Sequence, residues 1–207
     1  GFCARGGIFN ITYSPIQDCR IIECGGKESK EALLTVALIT DIGNDLMYGV
    51  SADTLIKSLD VIIDEILKCN AEIFLTPINI NPKKDISPMK FFVLRFLLYP
   101  SSKVNYKEID LSIFKVNDYL EKKVRRNEKI HLITGLETFV GLDRIHYSLF
   151  KTHTAWSIIA ENFFRVINVP AQKKLYLIDA IKSIFSNLKR LILCDIFCIK
   201  KKGREFF

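Results

Sequence analysis

The run Ala32-Leu-Leu-Thr-Val-Ala-Leu-Ile-Thr40 is almost wholly apolar and rich in β-branched residues, and the polar turn Asp41-Ile-Gly-Asn-Asp45 follows it directly. A continuous apolar run of this length is typical of a strand that is buried on both faces of a parallel sheet. It predicts the first strand of an α/β fold, with a glycine-containing turn at the carboxyl end of that strand.

The sequence after this turn predicts a helix and then a second strand. Apolar residues recur at three- and four-residue steps from Leu55 to Leu67, and either Ser51 or Asp53 can cap the helix. Residues 72–77 then predict a second buried strand. A strand, a helix and a strand joined by short loops form a βαβ unit, for which a right-handed parallel crossover is expected.

The rest of residues 1–170 continues the same alternation and predicts one α/β domain. The further elements are a loop at 79–88, a short apolar helix at 89–99 lying on the body of the protein, a helix at 105–127, a strand at 129–134 and a helix at 152–166. Helices that alternate with parallel strands cover both faces of a sheet. We therefore expect a three-layer α/β/α arrangement of the flavodoxin-like type.

The positive charge of the chain is concentrated at one end. The 207 residues carry a net charge of +7, and residues 171–207 hold nine Lys or Arg against three Asp or Glu, a net +6. Residues 1–170 are thus close to neutral, and no nucleic-acid-binding motif is present, so no nucleic-acid partner is expected. Residues 171–207 predict a basic, largely helical tail that packs on the body or contacts an anionic membrane surface.

The cysteine content and the hydropathy of the sequence indicate in which cellular compartment the protein is expected. The six cysteines lack the paired C-x-x-C spacing of a zinc site, and a chain able to build a full core needs no disulfide framework. The sequence contains neither an apolar run of 18 residues nor a signal-peptide pattern. These features favour reduced thiols and a cytoplasmic location.

Two short motifs carry residue types suited to acyl-transfer chemistry. A histidine that acts as a general base needs a partner on its second ring nitrogen, and Asp143 precedes His146 by three residues. Asn44 follows a predicted strand, and its amide can donate a hydrogen bond to an oxyanion. The carboxyl ends of strands are where α/β folds bind their ligands. A turn role for Asn44 and a surface role for His146 remain the alternatives.

Gly43-Asn44-Asp45 and Asp143-Arg-Ile-His146, in this order, resemble the third and last sequence blocks of the SGNH (GDSL-like) hydrolases. The resemblance covers roughly residues 1–170. It implies an esterase or acyl hydrolase that acts through a serine acyl-enzyme on a small-molecule or carbohydrate ester, without a metal or organic cofactor. It further implies that His146 is the general base, that Asp143 orients it, and that Asn44 is an oxyanion-hole donor.

The family's Gly-Asp-Ser block, which carries the nucleophile, is missing from this sequence. We expect that block, with the first strand, to lie upstream of Gly1. The glycines near the start then resemble the second block, with Gly7 (or Gly6) as the oxyanion-hole glycine. The alternative is a non-catalytic protein that keeps the SGNH fold and lacks the nucleophile. Ser14, Ser148 and Cys3 are weak substitutes for that nucleophile.

Overall fold

The computed structural model describes residues 16, 34–100, 102–141, 146–148, 150–170, 181–182 and 185–186. The chain divides into two compact units between Thr134 and Gly135, and each unit is described by itself. Most of the predicted basic tail lies outside the described residues. The four tail residues that are described are helical and exposed.

A parallel three-stranded sheet forms the centre of the first unit. The strands are β1 (Val36–Ile39), β2 (Glu72–Leu75) and β3 (Ile130–Leu132), hydrogen-bonded in the order β1-β2-β3. Val36 is paired with Glu72, and Ile73 with Ile130. All three predicted strands and their parallel pairing are therefore confirmed, although each strand is shorter than the apolar run that predicted it.

Six α-helices and a short 3₁₀ helix accompany the strands among the described residues between 34 and 170. The α-helices are α1 (Asn44–Met47), α2 (Ala52–Lys68), α3 (Pro82–Asp85), α4 (Pro88–Leu98), α5 (Tyr106–Arg126) and α6 (Thr152–Val166). Three of these helices begin with a side-chain cap, because Ser51, Ser87 and Asn105 accept hydrogen bonds from backbone N–H groups of the first turn. The sequence allowed either Ser51 or Asp53 as the N-cap of α2, and the structure shows that Ser51 is the cap.

The core lies between the sheet and the two long helices. Helix α2 packs on β2, α5 packs on β3, and the two helices contact each other, so both cover the same face of the sheet. The fully buried apolar side chains include Phe74, Leu55, Leu59, Ile63, Val116 and Leu120. The first unit is a mixed α/β structure in which α2 and α5 form one helical layer over the sheet.

Three details differ from the sequence-based predictions. Val36, Ala37 and Leu38 are only half-buried, and β1 pairs with one strand, β2, among the described residues. The predicted loop at 79–88 contains the short helix α3, whose first residue is Pro82, a favoured helix-starting residue. Helix α4 lies on the body through one side only, since Phe91 is buried while most of its other large side chains are exposed.

The second unit contains the 3₁₀ helix Glu137–Phe139 and helix α6, which pack together. Val140 and Tyr147 form an antiparallel β-bridge between these two elements. The Lys151 Nζ donates a hydrogen bond to the Thr138 carbonyl, which ties the start of α6 to the 3₁₀ helix. Within the described part of the chain, no helix has the length and apolar character needed to cross a bilayer.

Candidate functional site

The carboxyl edge of the sheet carries paired polar side chains. Thr40 follows β1 and Thr76 follows β2, and the Thr76 hydroxyl donates a hydrogen bond to the Thr40 hydroxyl at 3.1 Å. Since parallel strands end at the same edge, the segments after β1 and β2 come together there. This edge positions the turn that contains Asn44.

The turn after β1 approaches the chain after β2 closely at Gly43. Asp41 opens the turn in the left-handed region with φ of 57°, and its carbonyl accepts a hydrogen bond from the Asn44 N–H at 3.2 Å. A Cβ atom on Gly43 would lie 3.2 Å from the Ile78 Cγ2, which is tighter than nine in ten such contacts. A glycine at this position therefore allows the two segments to meet.

Helix α5 fixes the segment that Gly43 contacts. The Asn117 Oδ1 accepts a hydrogen bond from the Ile78 N–H at 2.9 Å, and its Nδ2 donates to the Ile78 carbonyl at 3.1 Å. Both polar backbone groups of Ile78 are satisfied by one amide, as a buried backbone requires. The position of the turn is thus set by the glycine on one side and by α5 on the other.

Asn44 is the first residue of α1 and is half-buried at this edge. The Tyr99 hydroxyl donates a hydrogen bond to the Asn44 Oδ1 at 3.4 Å, the long end of the range for such bonds. Tyr99 is itself buried, and its ring meets that of Tyr48 edge-on at 5.2 Å. With its oxygen accepting from Tyr99, the Asn44 side chain keeps its amide nitrogen as the donor group.

Tyr99 is a residue that the sequence reasoning missed. It directly follows the apolar helix α4 and lies 55 positions from Asn44 in the chain. The one signal was a hydroxyl-bearing aromatic residue at the end of an otherwise aliphatic and phenylalanine-rich run. Such a residue needs a hydrogen-bond partner when it is buried, but the sequence does not say which one.

His146 lies in the second unit, in the segment that leads to α6, and is half-buried. Its carbonyl accepts a hydrogen bond from the Gly141 N–H at 2.7 Å, next to the bridge between Val140 and Tyr147. The Ser148 N–H donates to the Phe139 carbonyl at 2.8 Å, so both sides of the bridge are held. The backbone around His146 is therefore fixed against residues 139–141.

Not every predicted site residue belongs to the described part of the chain. Asp143, Gly7 and the substitute nucleophiles Ser14 and Cys3 lie outside the described residues. Asn44 belongs to the first unit and His146 to the second. The catalytic dyad of His146 with Asp143 and the oxyanion hole of Asn44 with Gly7 both stay predictions.

His131 has a structural setting within the sheet. Its Nε2 lies 2.7 Å from the Glu72 Oε2, and its ring packs against that of Phe74 with the centroids 5.0 Å apart. These residues lie on the paired strands β2 and β3, so the contacts link neighbouring strands. These contacts give His131 a structural role between the two strands.

One cluster of groups with altered pKa values, Asp60, Tyr119 and Lys123, joins α2 to α5. Asp60 accepts hydrogen bonds from the Tyr119 hydroxyl at 2.8 Å and from the Lys123 Nζ at 2.6 Å. Partial burial acts to raise the pKa of Asp60, but the bonds from Lys123 and Tyr119 and the Lys123 charge together lower it. Burial, followed by the bond to Asp60, raises the pKa of Tyr119 above its usual range.

The described residues contain no group of three or more His, Cys, Asp or Glu side chains that could hold a metal ion. Comparison with protein-family models, with curated proteins and with solved structures found no match. The geometry of the carboxyl edge and the two sequence motifs are therefore the observations on which a function can be argued.

Proposed function

We propose that this protein is an SGNH-type serine hydrolase that cleaves the ester bond of a small-molecule or carbohydrate ester. The observation that supports it best is the Asn44 amide at the carboxyl edge of a parallel sheet, with its oxygen accepting from Tyr99. An oxyanion-hole donor needs a side chain that is held in place and an N–H group that can point at the substrate oxygen. The proposal includes a three-layer α/β/α fold, with a further strand and a second helix layer beyond those described.

The proposed reaction assigns one step to each residue. His146, oriented by Asp143, accepts the proton of a serine hydroxyl as the serine oxygen attacks the ester carbonyl. Asn44 and the backbone N–H of Gly7 stabilise the oxyanion of the tetrahedral intermediate. His146 then gives the proton to the leaving alcohol, and a water molecule repeats the sequence to release the acid and regenerate the serine. The serine itself is not assigned to a residue.

A second function is a binding protein that keeps this fold without catalysis. The observation in its favour is the Asn44 side chain held at the carboxyl edge of the sheet, because ligand binding at this edge needs no nucleophile. In this case Asn44 would still present its amide to a ligand carbonyl or anion, but no covalent intermediate would form. The two functions make opposite predictions for a reagent that reacts with activated serines.

Labelling by a fluorophosphonate probe separates the two functions. An SGNH-type hydrolase is labelled on one serine, and His146→Ala abolishes the labelling because the serine loses its general base. His153→Ala is the matched control and leaves labelling unchanged, since His153 lies on α6 and belongs to no predicted motif. Absence of labelling in the unsubstituted protein would favour the binding protein, and labelling that survives His146→Ala would contradict the assigned roles.

Asn44→Ala tests the oxyanion hole in the same assay. It is expected to lower kcat for p-nitrophenyl acetate by about 10²–10³-fold with little change in KM, because the bond forms mainly in the transition state. An unchanged kcat in this variant would remove Asn44 from the proposed site.

A further inference from the structure

Helix α4 exposes a continuous apolar stripe. Its members recur at three- and four-residue steps and are each between 48% and 80% exposed: Met89, Phe92, Val93, Phe96 and Leu97. Phe91, on the opposite side of the helix, is buried and packs edge-on against Tyr106 with the centroids 5.7 Å apart. The helix is thus anchored through one side while the stripe faces outward. Exposed apolar patches of this kind mark interaction sites.

All charged residues in the segment that carries the stripe are basic. Residues 88–107 contain four Lys or Arg and no Asp or Glu. Lys90, Lys103 and Lys107 are exposed. The fourth cation is Arg95, whose Cζ lies 5.3 Å from the centroid of the Phe92 ring. Its Nη1 donates a hydrogen bond to the Val104 carbonyl at 2.7 Å, so it links the stripe to the loop that follows α4. An exposed apolar stripe with cationic side chains nearby suits contact with an anionic membrane surface, where apolar burial and charge attraction add together.

We propose that the α4 stripe docks onto the surface of an anionic phospholipid bilayer. The phenylalanine, leucine, valine and methionine side chains enter the boundary between headgroups and acyl chains, and the neighbouring lysines meet the negative headgroups. Charge also disfavours a second copy of this chain as the occupant. A symmetric dimer would bring each basic segment against its own copy, with like charges facing each other.

Co-sedimentation of the full chain with vesicles tests the proposal. Vesicles of phosphatidylcholine and phosphatidylserine are expected to bind the protein, while vesicles of phosphatidylcholine alone bind it weakly. Val93→Glu is expected to lower the partition coefficient roughly tenfold, because it removes apolar contact and adds a negative charge. Val61→Glu is the matched control, since Val61 is equally exposed on α2 outside the stripe, and it leaves binding unchanged.

A lysine pair tests the electrostatic half of the proposal. Lys90→Gln is expected to weaken binding to the mixed vesicles, whereas Lys57→Gln, an exposed lysine on α2, has little effect. Equal binding of the unsubstituted protein and Val93→Glu would overturn the proposal and move the contact to another part of the chain, such as residues 171–207. A protein that ignores vesicles but changes from dimer to monomer on Val93→Glu would overturn it in favour of self-association.

Discussion

Gly43 has an ordinary right-handed conformation, with φ of −66° and ψ of −18°, so an alanine backbone fits there without strain. What excludes a larger residue is Ile78, whose Cγ2 would lie 3.2 Å from the added Cβ. Ile78 cannot move freely, because Asn117 holds both of its polar backbone groups. At the residue scale, the turn that presents Asn44 is therefore set by a steric contact and not by the flexibility of glycine.

Gly43→Ala is expected to lower the free energy of unfolding by about 1–3 kcal/mol, the usual cost of overpacking. In an Ile78→Ala background the contact is gone, and the same substitution becomes neutral or stabilises by about 0.4–1 kcal/mol through the unfolded chain. Urea unfolding of the four proteins of this cycle measures both values. The same cost in both backgrounds would show that Ile78 is not the cause.

At the scale of single elements, the sequence predicted what local pattern controls. The three strands followed from long apolar runs, and α2, α5 and α6 from apolar residues at helical spacing. The ends of the strands could not be predicted from the sequence, because they depend on which strand is available for pairing. Strand β1, for example, covers only four residues of a nine-residue apolar run. The orientation of α4 also did not follow, because a helix that is apolar on almost every side gives no face to choose from.

For the candidate site, local sequence predicted the position of Asn44 after β1, and its catalytic role stays a prediction. Asn44 could be placed at a strand end from local sequence alone, and the structure puts it there. Its hydrogen bond to Tyr99 and the clamp of Asn117 on Ile78 join residues 55 and 39 positions apart. Such contacts depend on how the elements pack, and no local pattern encodes them.

The link between α2 and α5 has a predictable dependence on pH. The folded-state pKa of Asp60 is lowered by its bonds to Lys123 and Tyr119, which outweigh partial burial. The ionised carboxylate therefore stabilises the fold. This contribution is fully present above the unfolded-state pKa of about 3.9 and is lost as the pH falls through the lower, folded-state value.

Asp60→Asn is consequently expected to destabilise the protein by about 0.5–1 kcal/mol near pH 7, because solvent screens the partly exposed carboxylate. The difference from the unsubstituted protein shrinks as the pH falls toward 3. Asp64→Asn is the matched control, because Asp64 lies 3.4 Å from the same lysine, makes no bond to Tyr119 and is more exposed. Its effect should be small at every pH. Urea unfolding at a series of pH values measures both variants, and a pH-independent cost of Asp60→Asn would contradict this role.

At the scale of the whole molecule, the net charge is concentrated in one part of the sequence. Residues 171–207 carry +6 of the net +7, so the sheet and its helices fold with nearly balanced charge. Strand β2 is the most central element of this part of the chain, because it pairs on both sides and contacts α2. Ile73, Phe74 and Leu75 of this strand are fully buried.

Phe74 and Phe114 are the same residue type but differ in burial, so their substitution measures the effect of burial on stability. Phe74 is 0% exposed on β2, whereas Phe114 is 74% exposed on α5. Phe74→Ala is expected to cost about 3–5 kcal/mol, because it removes a large buried side chain and leaves a cavity that the paired strands cannot close. Phe114→Ala should change stability by less than about 0.5 kcal/mol. Thermal and urea unfolding give both values. Similar costs at the two positions would mean that Phe114 is covered in solution, and that the α5 surface is an interface as well as a helix face.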